Sequence, residues 1–323
     1  MQEGTRATTD VLKLKSVGQP KKFTLRSVFG QEHPELEILD GFDTPHPVTA
    51  GFKLNPYHAY IKEPAKVLGA CFLKRIPVVL VGKKGCGKSS GVINMLLALN
   101  LPFLKVDGSK YHDKASLFGR LELAPTGGMH FVDGPVTTCM RNGWSFVYDE
   151  MFKATDEALV CLNTVSEGRP VLLEENGNEV VAPAPGFWLV GTSNSNGSGA
   201  GRAGYGTEKK QDRSLLDRVA LIQCHYLAED KEIEVLKKTV PGLHDETYKL
   251  LVKFAGDTRA AVDAPDDKRI EDPLSTRGLI MALTLSDLLS DVRPALDAAY
   301  FSKLSETDRT VAEVLWNSQK GTS

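Results

Sequence analysis

The sequence predicts an α/β protein in which a parallel-sheet core carries two β-hairpin inserts and is followed by an all-α domain. An apolar run at 78–81 leads into a Gly-rich loop, then into a helix-like segment at 91–100 and a second strand-like run at 102–106. When a helix connects two strands, the strands lie parallel to each other in the sheet. Beyond about Leu227 the apolar residues recur at helical spacing, which predicts the all-α domain.

The order of these patterns divides the chain into three predicted parts. Residues 1–55 are rich in charge, Pro and Gly and have no sustained helical period, so we expect a partly ordered N-terminal extension. Residues 56–226 are predicted to form the α/β core and residues 227–323 the helical domain. Helices are predicted at 65–74 in the core and, in the helical domain, at 232–238, 246–255, 277–289 and 307–315.

Two more strand-like runs in the core end in polar residues. The run at 144–148 precedes Asp149 and Glu150, and the run at 187–190 precedes the polar segment 191–194. The carboxyl ends of parallel strands meet at one edge of a sheet, where α/β proteins bind their ligands. We therefore expect these polar residues to lie close together.

Two predicted hairpins interrupt the alternation of strand and helix. Strands at 121–123 and 129–132 flank a turn at 125–128 that contains Pro and Gly. Strands at 171–173 and 179–181 flank Asn176-Gly177, a dipeptide typical of tight hairpin turns. Both are interpreted as inserts in the core.

Composition excludes several classes of protein. The formal charge of the 323-residue chain is −2, so nucleic acid is not the expected partner. The five cysteines form no CxxC pair, which is typical of reduced thiols in the cytoplasm, and no structural zinc is expected. No apolar run approaches the roughly 20 residues that span a membrane. We expect a cytoplasmic protein that does not bind membranes.

The Gly-rich loop at 82–89 has the pattern of a phosphate-binding loop, because it lies between a predicted strand and a predicted helix. Its glycines allow successive backbone N–H groups to turn toward a β-phosphate, and the helix adds the positive end of its dipole. Lys88 would reach the β- and γ-phosphates, and Ser89 would bind Mg²⁺. The predicted nucleotide-binding residues are Gly82, Lys83, Lys84, Gly85, Cys86, Gly87, Lys88, Ser89 and Ser90.

The acids after the strand at 144–148 indicate hydrolysis rather than phosphorylation of a substrate. Asp149 can hold Mg²⁺ through water, with Ser89 as the other predicted metal residue, and Glu150 can accept a proton from the attacking water. Asn194 can orient that water. Arg218 and Arg277 can each neutralise charge on a γ-phosphate, but the sequence pattern alone favours an ordinary surface arginine at both positions.

From about residue 56 to its end, the chain resembles AAA+ ATPases of the MoxR-type branch, and within that branch the small (ATPase) subunits of cobaltochelatase. The residues that carry the resemblance follow one another in the family's order. They are 28–30 in the N-terminal extension, and then the loop through Ser89, Asp149-Glu150, 191–194, Gly206-Thr207, Asp217-Arg218 and 275–277.

The resemblance implies a role for each residue whose function the sequence pattern alone did not settle. Asn194 corresponds to sensor 1, Arg277 to sensor 2 on a helical lid, and Arg218 to an arginine finger that enters the site of a neighbouring subunit. A finger that acts between subunits implies a homo-oligomer, in this family a hexameric ring. The two hairpins correspond to the helix-2 insert and the pre-sensor-1 insert, which are candidates for contact with a partner.

The expected function is that of a ring-forming ATPase that uses ATP and Mg²⁺ to remodel or activate a partner protein. The resemblance fits both a metal-chelatase motor and a general chaperone, whose client or adaptor can be a von Willebrand A-domain protein. Two alternatives stay open from the residues. One is a nucleic-acid translocase or restriction-like motor, and the other is an assembly scaffold that ATP switches without turnover.

Overall fold

The computed structural model describes residues 17–35, 37–125, 127–194, 213–265 and 269–320. Its residues group into two compact units. The first unit comprises Met1–Asn55, Tyr60–Lys83 and Gly87–Cys224, and the second comprises Pro56–Ala59, Lys84–Cys86 and His225–Ser323. The predicted three-part division at residues 55 and 226 stays a prediction. Gly206-Thr207, part of the family resemblance, lies outside the described residues.

The first unit combines strands with helices. In chain order its strands are β1 Pro20–Thr24, β2 Ile38–Phe42, β3 Val78–Gly82, β4 Phe103–Asp107, β5 Gly119–Leu123, β6 Met129–Asp133, β7 Ser145–Asp149, β8 Val171–Leu173, β9 Glu179–Val181, β10 Trp188–Ser193 and β11 Ala220–Cys224. Its helices are α1 Leu25–Phe29, α2 Lys62–Lys74, α3 Lys88–Ala98, α4 Lys114–Phe118, α5 Pro135–Asn142, α6 Asp156–Ser166 and α7 Arg213–Leu216.

The central sheet has five strands in the order β11-β3-β10-β7-β4, and each neighbouring pair is parallel. Strands buried on both faces read as continuous apolar runs, which is why β3 and β7 could be predicted. β11 was not predicted, because it is an edge strand whose residues alternate between buried and exposed. The α/β class with a parallel sheet is confirmed.

Apolar side chains pack on both faces of this sheet. One cluster holds Phe146, Tyr148 and Leu189 together with residues of α5 and α6. The other holds Val78, Leu80 and Val190 together with residues of α2 and α3. Burial of a large apolar side chain contributes about 1.5–3 kcal/mol, so these two layers fix the strand ends that carry the polar residues.

Both predicted hairpins are present as separate two-stranded sheets, β5-β6 and β8-β9. The second differs from the expected tight turn at Asn176-Gly177. A short 3-10 turn at Glu174–Asn176 comes first, and both Gly177 (φ 64°) and Asn178 (φ 61°) are left-handed. Gly and Asn tolerate that conformation, so the left-handed pair is Gly177-Asn178 rather than the predicted Asn176-Gly177, and the loop is longer than a tight turn.

The N-terminal extension contains more regular structure than its composition indicates. β1 and β2 form an antiparallel two-stranded sheet, and Leu25 and Leu39 are fully buried in the layer that contains α2 and α3. The Phe42 N–H donates to the Leu99 carbonyl at 2.9 Å. Elements of five residues are too short to produce a sustained period, which explains why they were not predicted.

The second unit is built from helices. They are α8 Glu229–Thr239, α9 Asp245–Ala260, α10 Thr276–Leu289, α11 Val292–Ala299 and α12 Glu306–Lys320. Their core includes Tyr248, Phe254 and Trp316, all nearly inaccessible to solvent. The helical character predicted beyond Leu227 is confirmed. Among the residues described, none of the helices combines the length and apolarity needed to cross a membrane.

Candidate functional site

The loop between β3 and α3 has the backbone that the glycine pattern predicts. Gly85 (φ 77°) and Gly87 (φ 90°) are left-handed, a conformation in which other residues are strained. Gly87 is also the N-cap of α3, and no side chain caps that end of the helix. The first N–H groups of a helix have no partner within it, so they can donate to an anion.

Lys88, the first residue of α3, is buried and points back across the loop. Its Nζ donates to the carbonyls of Gly82 (2.7 Å) and Lys83 (3.0 Å) and to Asn194 Oδ1 (2.9 Å). A buried ammonium group needs such partners to offset lost hydration. These bonds hold the ammonium group between the loop and the end of β10.

Asp149 ends β7, which lies between β10 and β4 in the sheet. Its Oδ1 accepts hydrogen bonds from Ser89 Oγ and from Thr192 Oγ1 (2.5 Å), and its Oδ2 lies 3.0 Å from Lys105 Nζ. Burial by itself would raise the pKa of Asp149, but the hydrogen bonds from Ser89, Thr192 and Lys105 outweigh it and lower the pKa. The carboxyl group is therefore an anion at neutral pH.

Glu150 follows in a left-handed conformation (φ 51°), which is uncommon for a residue with a side chain. Its N–H donates to Thr192 Oγ1 at 3.0 Å, so the Thr192 hydroxyl connects Asp149 with Glu150. On the other side of this corner, a Cβ on Gly108 would lie 2.3 Å from the Glu150 carbonyl oxygen. The corner is thus held from both sides.

Asn194 bridges Lys88 and Glu150. Its Oδ1 accepts from Lys88 Nζ at 2.9 Å, and its Nδ2 donates to Glu150 Oε1 at 3.4 Å. The Glu150 side chain is 38% exposed, and its Oε2 pairs with Lys153. A carboxylate that is fixed by an amide yet open to solvent can accept a proton from water.

The side chains and backbone N–H groups at this site fit the two groups that a phosphate-binding loop implies, a polyphosphate and Mg²⁺. Ser89 Oγ and the Asp149 carboxylate meet in a direct hydrogen bond, and hydroxyl and carboxylate oxygens are the ligands that Mg²⁺ prefers. Lys88 and the uncapped start of α3 supply the positive charge and N–H donors that a polyphosphate requires. Ser90, next in the loop, donates its hydroxyl to the Gly87 carbonyl at 3.2 Å.

The two predicted arginines have different surroundings. Arg218 lies between α7 and β11, where its Nε donates to Glu167 Oε1 (2.6 Å) and its Nη1 to the Ser214 carbonyl (2.5 Å). The Arg218 side chain is 33% exposed and makes none of the described contacts with Lys88 or Asp149. Arg277 is the second residue of α10 in the second unit, after the Ser275 N-cap.

Comparison with known proteins gives a family for both the α/β unit and the helical unit. The family model "AAA domain (dynein-related subfamily)" matches residues 77–219, and the model "CbbQ/NirQ/NorQ C-terminal" matches residues 232–318. Together they account for most of the chain. The chain belongs to the MoxR-type AAA+ ATPase family.

Individual relatives support the assignment over both units. The chain is 25% identical over 268 residues to the aerobic cobaltochelatase subunit CobS of Sinorhizobium sp, which covers 80% of this chain and 79% of that protein. It is 27% identical over 252 residues to protein NorQ of Paracoccus denitrificans (78% and 88%). It is also 29% identical over 243 residues to midasin of Giardia intestinalis, covering 74% of this chain but only 5% of midasin's length.

Three residues of this AAA+ site were not assigned from the sequence. Thr192 was part of the polar segment after β10, but nothing in its spacing showed that its hydroxyl reaches Asp149. Lys105 is a lysine inside the otherwise apolar start of β4, a signal that could have been noticed. Lys153, which pairs with Glu150, lies in a 3-10 turn that the apolar period does not reveal.

Proposed function

We propose that this chain is a ring-forming ATPase that couples ATP hydrolysis to the remodelling or activation of a partner protein. The observation that supports hydrolysis best is the Asn194 bridge between Lys88 and Glu150, beside the Ser89 and Asp149 contact. Lys88, the proposed phosphate-binding cation, and Glu150, the proposed base, lie at opposite ends of the Asn194 amide group. A protein that only bound nucleotide would have no need of the second.

Each residue has a proposed role in the reaction. The loop from Gly82 to Ser90 holds the phosphates, with Lys88 on the β- and γ-phosphates. Ser89 and Asp149 hold Mg²⁺, which when bound supplies positive charge to the phosphate oxygens. Glu150 accepts a proton from the attacking water, and Asn194 keeps the Glu150 carboxylate in place.

We propose that the site is completed by the neighbouring subunit of a homo-oligomeric, hexameric ring. Arg218 has a partially exposed side chain, and its recorded partners are Glu167 and Ser214 rather than residues of its own site. It is therefore the candidate finger for the adjacent subunit, and Arg277 the candidate sensor on the helical lid. Glu167 would hold Arg218 until the finger is engaged.

The partner surface is proposed to include the two hairpins. Leu123 and Met129 pair across β5-β6 and are 74% and 62% exposed, and Val180 on β8-β9 is 63% exposed. Exposed apolar side chains that lie side by side, as those of Leu123 and Met129 do, are typical of protein contacts. The name of CobS describes a chelatase subunit, so a chelatase motor and an activator of another cytoplasmic client or A-domain adaptor both fit. No observation favours the nucleic-acid translocase.

Subunit mixing tests the proposal. Arg218→Ala and Lys88→Ala are each expected to abolish ATP turnover when pure. In a mixture, some interfaces combine an intact Lys88 with an intact Arg218 of the neighbour, so part of the activity is expected to return. Absence of rescue would argue against a finger that acts between subunits, and strong stimulation by DNA would favour the translocase instead.

A further inference from the structure

Tyr226 makes a contact with the Gly-rich loop that the reaction scheme above does not use. Its hydroxyl donates a hydrogen bond to the Lys84 carbonyl at 2.7 Å. Both residues belong to the second unit, which includes the loop residues Lys84–Cys86. A side chain 142 positions further along the chain therefore holds one peptide group of the loop.

That peptide group is the one that carries the Gly85 N–H. In a planar trans peptide the carbonyl and the following N–H point in opposite directions. Fixing the Lys84 carbonyl on Tyr226 therefore turns the Gly85 N–H away from Tyr226. A peptide group that donates its N–H to a phosphate needs its carbonyl turned away from that phosphate in this manner.

Tyr226 is itself held by a buried ion pair. The guanidinium carbon of Arg259 lies 3.9 Å from the centroid of the Tyr226 ring. Arg259 donates to both carboxylate oxygens of Glu232 at 2.7 and 2.9 Å, and the Glu232 side chain is fully buried. A bidentate pair fixes the guanidinium plane, and with it the ring on which the guanidinium stacks.

The same ion pair reaches the start of α10. Glu232 Oε1 accepts from Thr276 Oγ1 at 2.5 Å, and Arg259 Nε donates to the Leu274 carbonyl at 3.0 Å. Thr276 directly precedes Arg277. The loop also meets this helix end, because a Cβ on Gly85 would lie 2.5 Å from Ser275 Cβ.

We propose that Tyr226 is a positioning residue for phosphate binding, which holds the Lys84 peptide so that the Gly85 N–H faces the β-phosphate. Arg259 and Glu232 support Tyr226 and join it to the residues beside Arg277. Phosphate binding and the start of α10 are thereby coupled through one set of contacts. This inference rests on the proposed function, since it assumes that the loop binds a nucleotide.

The Tyr226→Phe variant tests the inference, because it removes only the hydroxyl and keeps the ring beneath Arg259. Binding of ADP and AMP to the full-length chain is measured by calorimetry. ADP affinity is expected to fall about fivefold, the worth of one hydrogen bond, while AMP affinity changes less than about twofold, since AMP has no β-phosphate. Tyr226→Leu, which also removes the ring, should lose more ADP affinity than Tyr226→Phe.

Tyr300→Phe is the matched control. Its hydroxyl also donates to a backbone carbonyl in the second unit, that of Asp272 at 3.0 Å. ADP and AMP affinities should both stay within about twofold of wild type in this variant. Unchanged ADP affinity in Tyr226→Phe, equal losses for ADP and AMP, or an equal ADP loss in Tyr300→Phe would each overturn the inference.

A separate variant distinguishes failure of the inference from failure of the proposed function. Lys88→Ala is expected to abolish detectable ADP binding. If it does so while Tyr226→Phe binds ADP as wild type does, only the role of Tyr226 is wrong. If Lys88→Ala binds ADP normally, the assignment of the loop itself is wrong.

Discussion

The edge of the parallel sheet and the two hairpins differ in how far their side chains are buried and contacted by other residues of the chain. At the sheet edge, Lys88, Asp149 and Thr192 are buried or nearly so, and each contacts another member of the site. On the hairpins, Leu123 and Met129 are largely exposed. The first region is fixed by its own contacts, whereas the second leaves apolar side chains exposed to solvent. This difference explains why the sequence indicates ATP more clearly than it indicates the partner.

The comparison predicts its largest effect at Asp149. Asp149→Asn removes the charge that faces Ser89 and Lys105, so Mg²⁺-dependent ATP turnover should fall by at least about 100-fold. Asp107→Asn is the control, because Asp107 also pairs with Lys105 but its side chain is 78% exposed. The two variants are compared by measuring ATP turnover as a function of Mg²⁺ concentration. Equal losses in both would contradict the proposed role of Asp149 in Mg²⁺ binding.

Two glycine substitutions test how rigid the regions are. In Gly108→Ala the new Cβ would lie 2.3 Å from the Glu150 carbonyl oxygen, so we expect a loss of about 1–3 kcal/mol in unfolding free energy, together with reduced turnover. In Gly177→Ala nothing lies within 4 Å, and only the strain of φ 64° remains, about 1 kcal/mol.

Urea unfolding and ATP turnover of both glycine variants provide the readout. Gly177→Ala is expected to keep the turnover of the wild type. If Gly177→Ala destabilised the chain more than Gly108→Ala, the sheet edge would not be the more tightly constrained region.

Much of the fold and of the site could be predicted from the sequence, for physical reasons that particular residues show. β3 and β7 are buried on both faces and read as apolar runs, and the glycines before Lys88 reflect left-handed backbone. The contacts of Thr192 could not be predicted, because they depend on the register between β10 and β7. Short elements such as α1 are defined by packing rather than by period.

The smallest effect is expected at Leu123 on the first hairpin. Leu123 is 74% exposed, so Leu123→Ser should change the free energy of unfolding by less than about 0.5 kcal/mol. Basal ATP turnover should be unchanged. A loss of several kcal/mol by urea unfolding would show that the hairpin is packed into the chain rather than available to a partner.

The central claim is that Glu150 activates water in a site that also binds ATP. In Glu150→Gln the Asn194 contact can persist but the proton acceptor is gone, so turnover should fall by at least about 100-fold. ATP affinity, measured by calorimetry on the same preparation, should stay within about threefold of wild type because the loop and Lys88 are intact. The account predicts binding without turnover. Full turnover in Glu150→Gln would contradict it.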